Sequence, residues 1–252
     1  MTPHSPASEP LLVLTGISKH FGGVRAADEV DLVVHAGEVV ALVGDNAAGK
    51  STIARVIGGV HQPTAGTIDF HGHRTTIASP RAASEMGIAS VFQESSLVDH
   101  LSVTSNVFLG QELRNRFGLL DRQAMEQQAK EHLGAINSRI PDLSQPLRGL
   151  SAGQRQCVAI ARTLVPNPSL VVLDEPTASL SVNQTADVLS YIEDLRDRGL
   201  GVILISHNLT DVRAVADRIE VLRHGRNNGT FSAHAGYEEI IAAITGATHV
   251  ER

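Results

Sequence analysis

The chain has 252 residues, room for one large domain or two small ones, and 42% hydrophobic with 19% charged residues suits a globular protein with a sizeable core. Its 21 Lys and Arg against 27 Asp and Glu leave a net charge of −6, which argues against nucleic acid as a partner, because phosphate backbones reward a basic surplus. Aromatic residues make up only 3%, too few for a surface that grips a sugar or a nucleic-acid strand by stacking.

Taken from the start, positions 1–10 carry no basic residue ahead of an apolar run and are expected to be a disordered lead-in rather than a signal peptide. A single cysteine, Cys157, cannot form an internal disulfide, and its place on an expected helix favours packing over reactivity. No run reaches the roughly 20 apolar residues of a membrane span. The expectation is a cytoplasmic protein that docks on a membrane partner.

Short apolar runs recur at Leu11–Leu14, Leu32–Val34, Val39–Val43, Ile88–Phe92, Leu170–Leu173, Val202–Ile205 and Ile219–Leu222. Val39–Val43, Leu170–Leu173 and Val202–Ile205 are continuous rather than alternating, as strands buried on both faces of a parallel sheet are. Helices are expected over Lys50–Val60, Asp121–Leu133 and Gln154–Val165, the last stopped by Pro166. Glycine-punctuated short strands at about 11–36 and 64–78 predict a small antiparallel sheet, and about 94–165 reads as a helical insertion. The whole forms one α/β domain over 11–245, followed by a tail at 246–252.

The run Val39–Val43 feeds Gly44-Asp45-Asn46-Ala47-Ala48-Gly49-Lys50-Ser51-Thr52 and then a helix. This strand–loop–helix matches G-x-x-x-x-G-K-[ST], whose backbone N–H groups cradle phosphate. Lys50 is expected to neutralise the β- and γ-phosphates and Ser51 to ligate Mg²⁺. Leu170–Leu173 ends in Asp174-Glu175-Pro176-Thr177, placing carboxylates where open α/β sheets bind ligands. Asp174 suits the Mg²⁺ shell, and Glu175 is placed to polarise an attacking water. These residues imply a Mg²⁺-dependent nucleotidase. A guanine-reading Asn-Lys-x-Asp is absent.

Leu150-Ser151-Ala152-Gly153-Gln154-Arg155-Gln156 resembles the signature of ATP-binding cassette (ABC) ATPases and stands, as in that family, ahead of the acidic pair. The resemblance implies a P-loop NTPase fold: a RecA-like parallel sheet flanked by helices, an N-terminal antiparallel β subdomain and an inserted helical subdomain. It implies ATP and Mg²⁺ as ligands and a head-to-tail dimer, in which Ser151, Ala152, Gly153 and Gln154 face ATP held by the second cassette. Phe21 resembles the ring that stacks on adenine. Gln93 resembles the glutamine that reaches Mg²⁺ and water, and His207 the histidine at the γ-phosphate. Ala178-Ser179-Leu180-Ser181 resembles the loop that meets the partner.

Finer features resemble the cassettes of bacterial monosaccharide importers of the ribose, xylose and fructose type. They are Gly44-Asp45-Asn46, Leu101–Gly110, Ser206-His207-Asn208-Leu209 and Val215–Ile219. The resemblance implies membrane permease subunits as partners, a periplasmic or extracellular sugar-binding protein acting indirectly, and no nucleic acid. Alternatives are a soluble non-transport cassette or a weakly active ATP-binding module. Three departures from the resembled pattern stand out: Ala47 and Ala152 where the family usually has Gly, and Ser181 where many members have Asp. The apolar stretch Leu97, Val98, Leu101, Val103, Val107, Phe108 and Leu109 divides between core and a groove for a permease helix.

Overall fold

The strands expected from the continuous runs form the centre of the molecule. The computed structural model describes residues 9–92, 97–135, 140–178 and 180–247. A long hairpin of β1 (Pro10–Phe21) and β2 (Val24–His35) comes first, then β3 (Val39–Val43) and α1 (Lys50–Ile57). Next come β4 (Ala65–Phe70), β5 (His73–Thr75), α2 (Pro80–Glu85) and β6 (Ile88–Val91). Three helices, α3 (Val103–Val107), α4 (Arg122–Ala135) and α5 (Ala152–Leu164), precede β7 (Leu170–Asp174). The chain continues through α6 (Val182–Asp197), β8 (Gly201–Ile205), α7 (Leu209–Val215), β9 (Arg218–Arg223), β10 (Arg226–Ser232) and α8 (Tyr237–Thr245).

Among the described residues these strands make two sheets. One is antiparallel, in the order β2-β1-β4-β5; the other runs β10-β9-β3-β8-β7-β6. The second is parallel except for β10, which pairs antiparallel with β9. That last hairpin is an addition to the expected parallel core. Its outer strand, Arg-Asn-Asn-Gly-Thr-Phe-Ser, is polar and only partly buried, as an edge strand can be, so no apolar run announces it.

Alternation along the central strands separates two cores. Val40, Leu42, Leu170, Val172, Ile203 and Ile205 face α1 and the antiparallel sheet, packing on Leu12, Leu14, Ile53 and Ile57. Val39, Ala41, Val43, Val171, Leu173, Val202 and Leu204 face the other way, onto α5, α6 and α7 through Ile160, Ile192 and Val212. Every residue of β3, β7 and β8 is therefore buried, which is why those runs are continuous.

The 94–165 insertion is less helical than expected. Residues 93–96 and 136–139 lie outside the described residues. In the remainder α3 is one short turn, and the stretch to α4 is a loop closed by a bridge between Arg114 and Leu120. Asn115 Oδ1 accepts from the Phe117 and Leu119 N–H groups there, a local turn that competes with helix. Asp121 then caps α4 by accepting from Ala124 N–H. Buried Asn106 anchors the entry to the insertion: its amide donates to the carbonyls of Val98, Leu101 and Ser102 and accepts from Val98 N–H. Val103, Val107 and Phe108 are wholly core. No helix among the described residues is long and apolar enough to cross a membrane.

Candidate functional site

The loop after β3 turns back sharply. Gly44 has φ 153°, and a Cβ there would stand 2.2 Å from the Leu222 carbonyl oxygen of β9. Gly49 opens α1 at φ 101°, with the Ala26 carbonyl 2.6 Å from where its Cβ would be. Only glycine fits either approach. Lys50 is buried, and its Nζ donates to the carbonyls of Gly44 (2.8 Å) and Asp45 (2.9 Å). Burial lowers its pKa, a shift opposed by the carboxylates of Glu175, Asp174 and Asp45.

Strand parity brings the acid to the loop. Leu170 and Val172 face α1, and Asp174 continues that side, so its Oδ1 accepts from Ser51 Oγ at 3.3 Å. Asp174 is 2% exposed, and burial raises its pKa against the Ser51 hydrogen bond, with Glu175 adding repulsion. A partly buried hydroxyl beside a buried carboxylate, both hard oxygen donors, suits Mg²⁺, which takes few protein oxygens and keeps most of its waters. Among the described residues no cluster of three His, Cys, Asp or Glu offers a closed metal cage.

Glu175 leaves the strand at φ 54°, which turns its side chain away from Asp174's direction. Its Oε2 lies 2.8 Å from Nδ1 of His207, just beyond β8. The two line a cavity of about 530 Å³ with Thr177, Ser206 and Asp211. Thr177 donates to Asp211 Oδ2 at 2.8 Å, tying the segment after β7 to α7, a link that sequence spacing did not signal.

Lys50, Ser51, Asp174, Glu175 and His207 are thus linked at the C-terminal ends of β3, β7 and β8. Phe21 is 44% exposed at the end of β1, edge-on to His61 with ring centroids 5.1 Å apart. The signature residues stand apart. Ser151 caps α5 in a reciprocal box with Gln154, and its further partner is Gln184 of α6. Gln93 and Ser179 lie outside the described residues.

The departures separate. Ala47 has φ 62°, a left-handed conformation that favours glycine, whereas Ala152 is an exposed residue in the first turn of α5 with no such strain. Ser181 caps α6, its N–H donating to Gln184 Oε1. A second cavity, about 300 Å³, lies between α2, β6 and α5, lined by Ala83, Ser84, Phe92, Leu97, Gln111 and Arg162. Of the apolar stretch assigned to core or groove, Leu97 is the member that reaches it.

The family description "ABC transporter" matches residues 27–178. The chain is 40% identical to the xylose/arabinose import ATP-binding protein XylG of Sulfolobus acidocaldarius, over 86% of each chain. It is 42% identical to the arabinose import ATP-binding protein AraG of Azospirillum brasilense, over 91% of this chain and 44% of that one. The chain therefore spans about half the length of most of the curated relatives it matches. A nucleotide-free ATP-binding cassette from an ABC transporter superposes with a TM-score of 0.80 at 26% identity, covering 96% and 98% of the two chains. A dimeric cassette in a post-hydrolysis state, bound to ADP and Pi, superposes with a TM-score of 0.78 at 25% identity, over 89% and 100%. With a P-loop fold, an acidic strand end and relatives of this kind, the chain belongs to the ABC transporter family of ATP-binding cassettes.

Proposed function

We propose that this chain is the ATP-hydrolysing subunit of an ABC importer that energises uptake of a carbohydrate, a monosaccharide, through a separate membrane permease. The observation that carries this reading is the linked set Lys50, Ser51, Asp174, Glu175 and His207, together with relatives named as sugar import ATP-binding proteins. Two copies close head to tail on two ATP molecules, at the cytoplasmic face of the membrane, and a sugar-binding protein outside delivers the cargo.

In this reading the loop from Gly44 to Thr52 wraps the phosphates, with Lys50 neutralising their charge. Ser51, Asp174 and Gln93 would hold Mg²⁺, which would supply positive charge against the phosphates. Glu175 accepts a proton from the attacking water, and His207 steadies that carboxylate and the γ-phosphate. Phe21 stacks on adenine. Ser151, Ala152, Gly153 and Gln154 meet the γ-phosphate held by the second copy. The cavity lined by Phe92, Leu97 and Arg162 receives a short permease helix.

The test is ATP hydrolysis by the purified chain with and without Mg²⁺, then with the permease reconstituted in vesicles. Mg²⁺-dependent release of phosphate, stimulated by the permease and a monosaccharide-loaded binding protein, supports the reading. No hydrolysis in any of these conditions overturns it.

A further inference from the structure

The side chain of Gln184, at the start of α6, spans two loops of the proposed dimer face. Its Oε1 accepts from the Ser181 N–H at 3.1 Å. A backbone N–H can only donate, so this bond fixes which end of the amide is oxygen. The Nε2 end is thereby turned to Ser151, whose Oγ it approaches at 3.4 Å. The same Oγ accepts from the Gln154 N–H at 3.3 Å.

Both of these neighbours are donors. A hydroxyl has one proton and two lone pairs, and here both lone pairs are engaged. Neither of these two donating groups can accept its proton, which is left for a partner beyond the exposed start of α5. Gly153 allows this arrangement: a Cβ there would stand 2.3 Å from Cδ and Nε2 of Gln184 and push the amide away.

We propose that Gln184 is a positioning residue that holds the Ser151 hydroxyl as a hydrogen-bond donor toward the γ-phosphate of ATP bound by a second copy of the chain. The proposal rests on the reading of Ser151 as a phosphate contact across the dimer. The amide does not touch the nucleotide. It removes the alternative rotamers in which the hydroxyl would turn its proton to a neighbour and meet the phosphate with a lone pair. It also joins Ser181, in the loop resembling the partner-contacting segment, to the signature through one side chain.

The experiment uses the full chain carrying Glu175→Gln and reads the Mg·ATP concentration needed for half-maximal dimer by sedimentation. Gln184→Glu keeps an oxygen for the Ser181 N–H, so the start of α6 remains capped. Its second oxygen, however, is an acceptor that draws the Ser151 proton inward. Gln184→Met removes both bonds. The expected result is a rise of about tenfold or more for Gln184→Glu and a smaller rise for Gln184→Met, the scale of one hydrogen bond to a charged group. Nucleotide binding to single chains stays at the parental value in both variants, and so does the melting temperature of Gln184→Glu, which keeps the cap of α6. With Ser151→Ala already present, Gln184→Met adds nothing.

Parental dimerisation in both Gln184 variants, with Ser151→Ala still impaired, overturns the role of Gln184 alone. An effect of Gln184→Met that persists undiminished in the Ser151→Ala background also overturns it, as a structural role independent of the hydroxyl. Parental dimerisation in Ser151→Ala overturns the contact across the dimer, and the proposal with it.

Discussion

The exposed ring of His207 is tethered to the half-buried carboxylate of Glu175, Nδ1 to Oε2 at 2.8 Å, with the two side chains 70% and 14% exposed. The carboxylate is held by the scaffold and the ring is free to swing about it. Removing the carboxylate's basicity should therefore cost more than removing the ring. Glu175→Gln is expected to lower kcat by at least about 10²-fold, the scale of a general base, while ATP still binds. His207→Ala is expected to fall between that variant and the parent, with KM little changed. Phosphate-release assays at saturating Mg·ATP check both. A Glu175→Gln variant of parental kcat would remove Glu175 from the proposed role.

The two alanines that depart from the resembled family pattern should respond in opposite directions. Ala47 sits at φ 62°, where a Cβ costs about 1–2 kcal/mol, partly offset by the extra chain entropy glycine loses on folding. Ala47→Gly should stabilise the fold by up to about 1 kcal/mol and raise the melting temperature by about 2–4 °C. Ala152 lies in the first turn of α5, where Gly is the poorer helix former, so Ala152→Gly should destabilise by up to about 1 kcal/mol. Urea denaturation of both variants decides; a loss of stability in Ala47→Gly contradicts the strain argument.

Cys157 on α5 is a poor nucleophile. Burial, with Asp187 nearby, pushes its thiol up to about 11. At pH 8 that leaves roughly one thiol in a thousand ionised, by the three-unit gap. Alkylation by iodoacetamide in the folded protein should be far slower than in urea and should accelerate as pH rises toward the thiol's pKa. Mass spectrometry of the labelled chain reads this directly. Rapid labelling of the folded chain at pH 8 would contradict it.

The cavity between α2, β6 and α5 gives a contact test. Ser84 lies on its wall, at the end of a short helix capped by Ser79 and begun by Pro80. In a chain with Cys157 replaced by Ala, a cysteine introduced by Ser84→Cys should crosslink to the permease in reconstituted vesicles. Replacement at Glu126, an exposed position on α4, serves as control. Equal yields at the two positions would remove the cavity as the docking place.

Much of this was legible in local residue order because local rules govern it. The glycine spacing of the phosphate loop is demanded by two close backbone approaches, at Leu222 and Ala26, and those demands surface as fixed residue types. Continuous apolar runs betray strands covered on both faces. What stayed hidden depends on contacts between distant segments. Gln184 belongs to none of the sequence motifs, and only the fold of α6 brings it onto Ser151, 33 positions away. Val103, Val107 and Phe108 read alike as core or groove; the packing of α3 against α4 and α5 decides for core. The outer strand β10 is held by its neighbour's backbone rather than by an apolar pattern of its own. Ala47 showed only as a departure, and its backbone angle supplied the cost.

The parity of β7 has a further consequence for how such a chain can vary. Asp174 meets Ser51 because an even number of steps separates it from Leu170 and Val172, which face α1. One residue inserted within β7 would exchange the two faces of the downstream half and carry the carboxylate to the α5 side. Two residues would restore its direction and only lengthen the strand. The position of the acid is thus counted in pairs, and length changes in β7 should be tolerated, where they are tolerated at all, by twos.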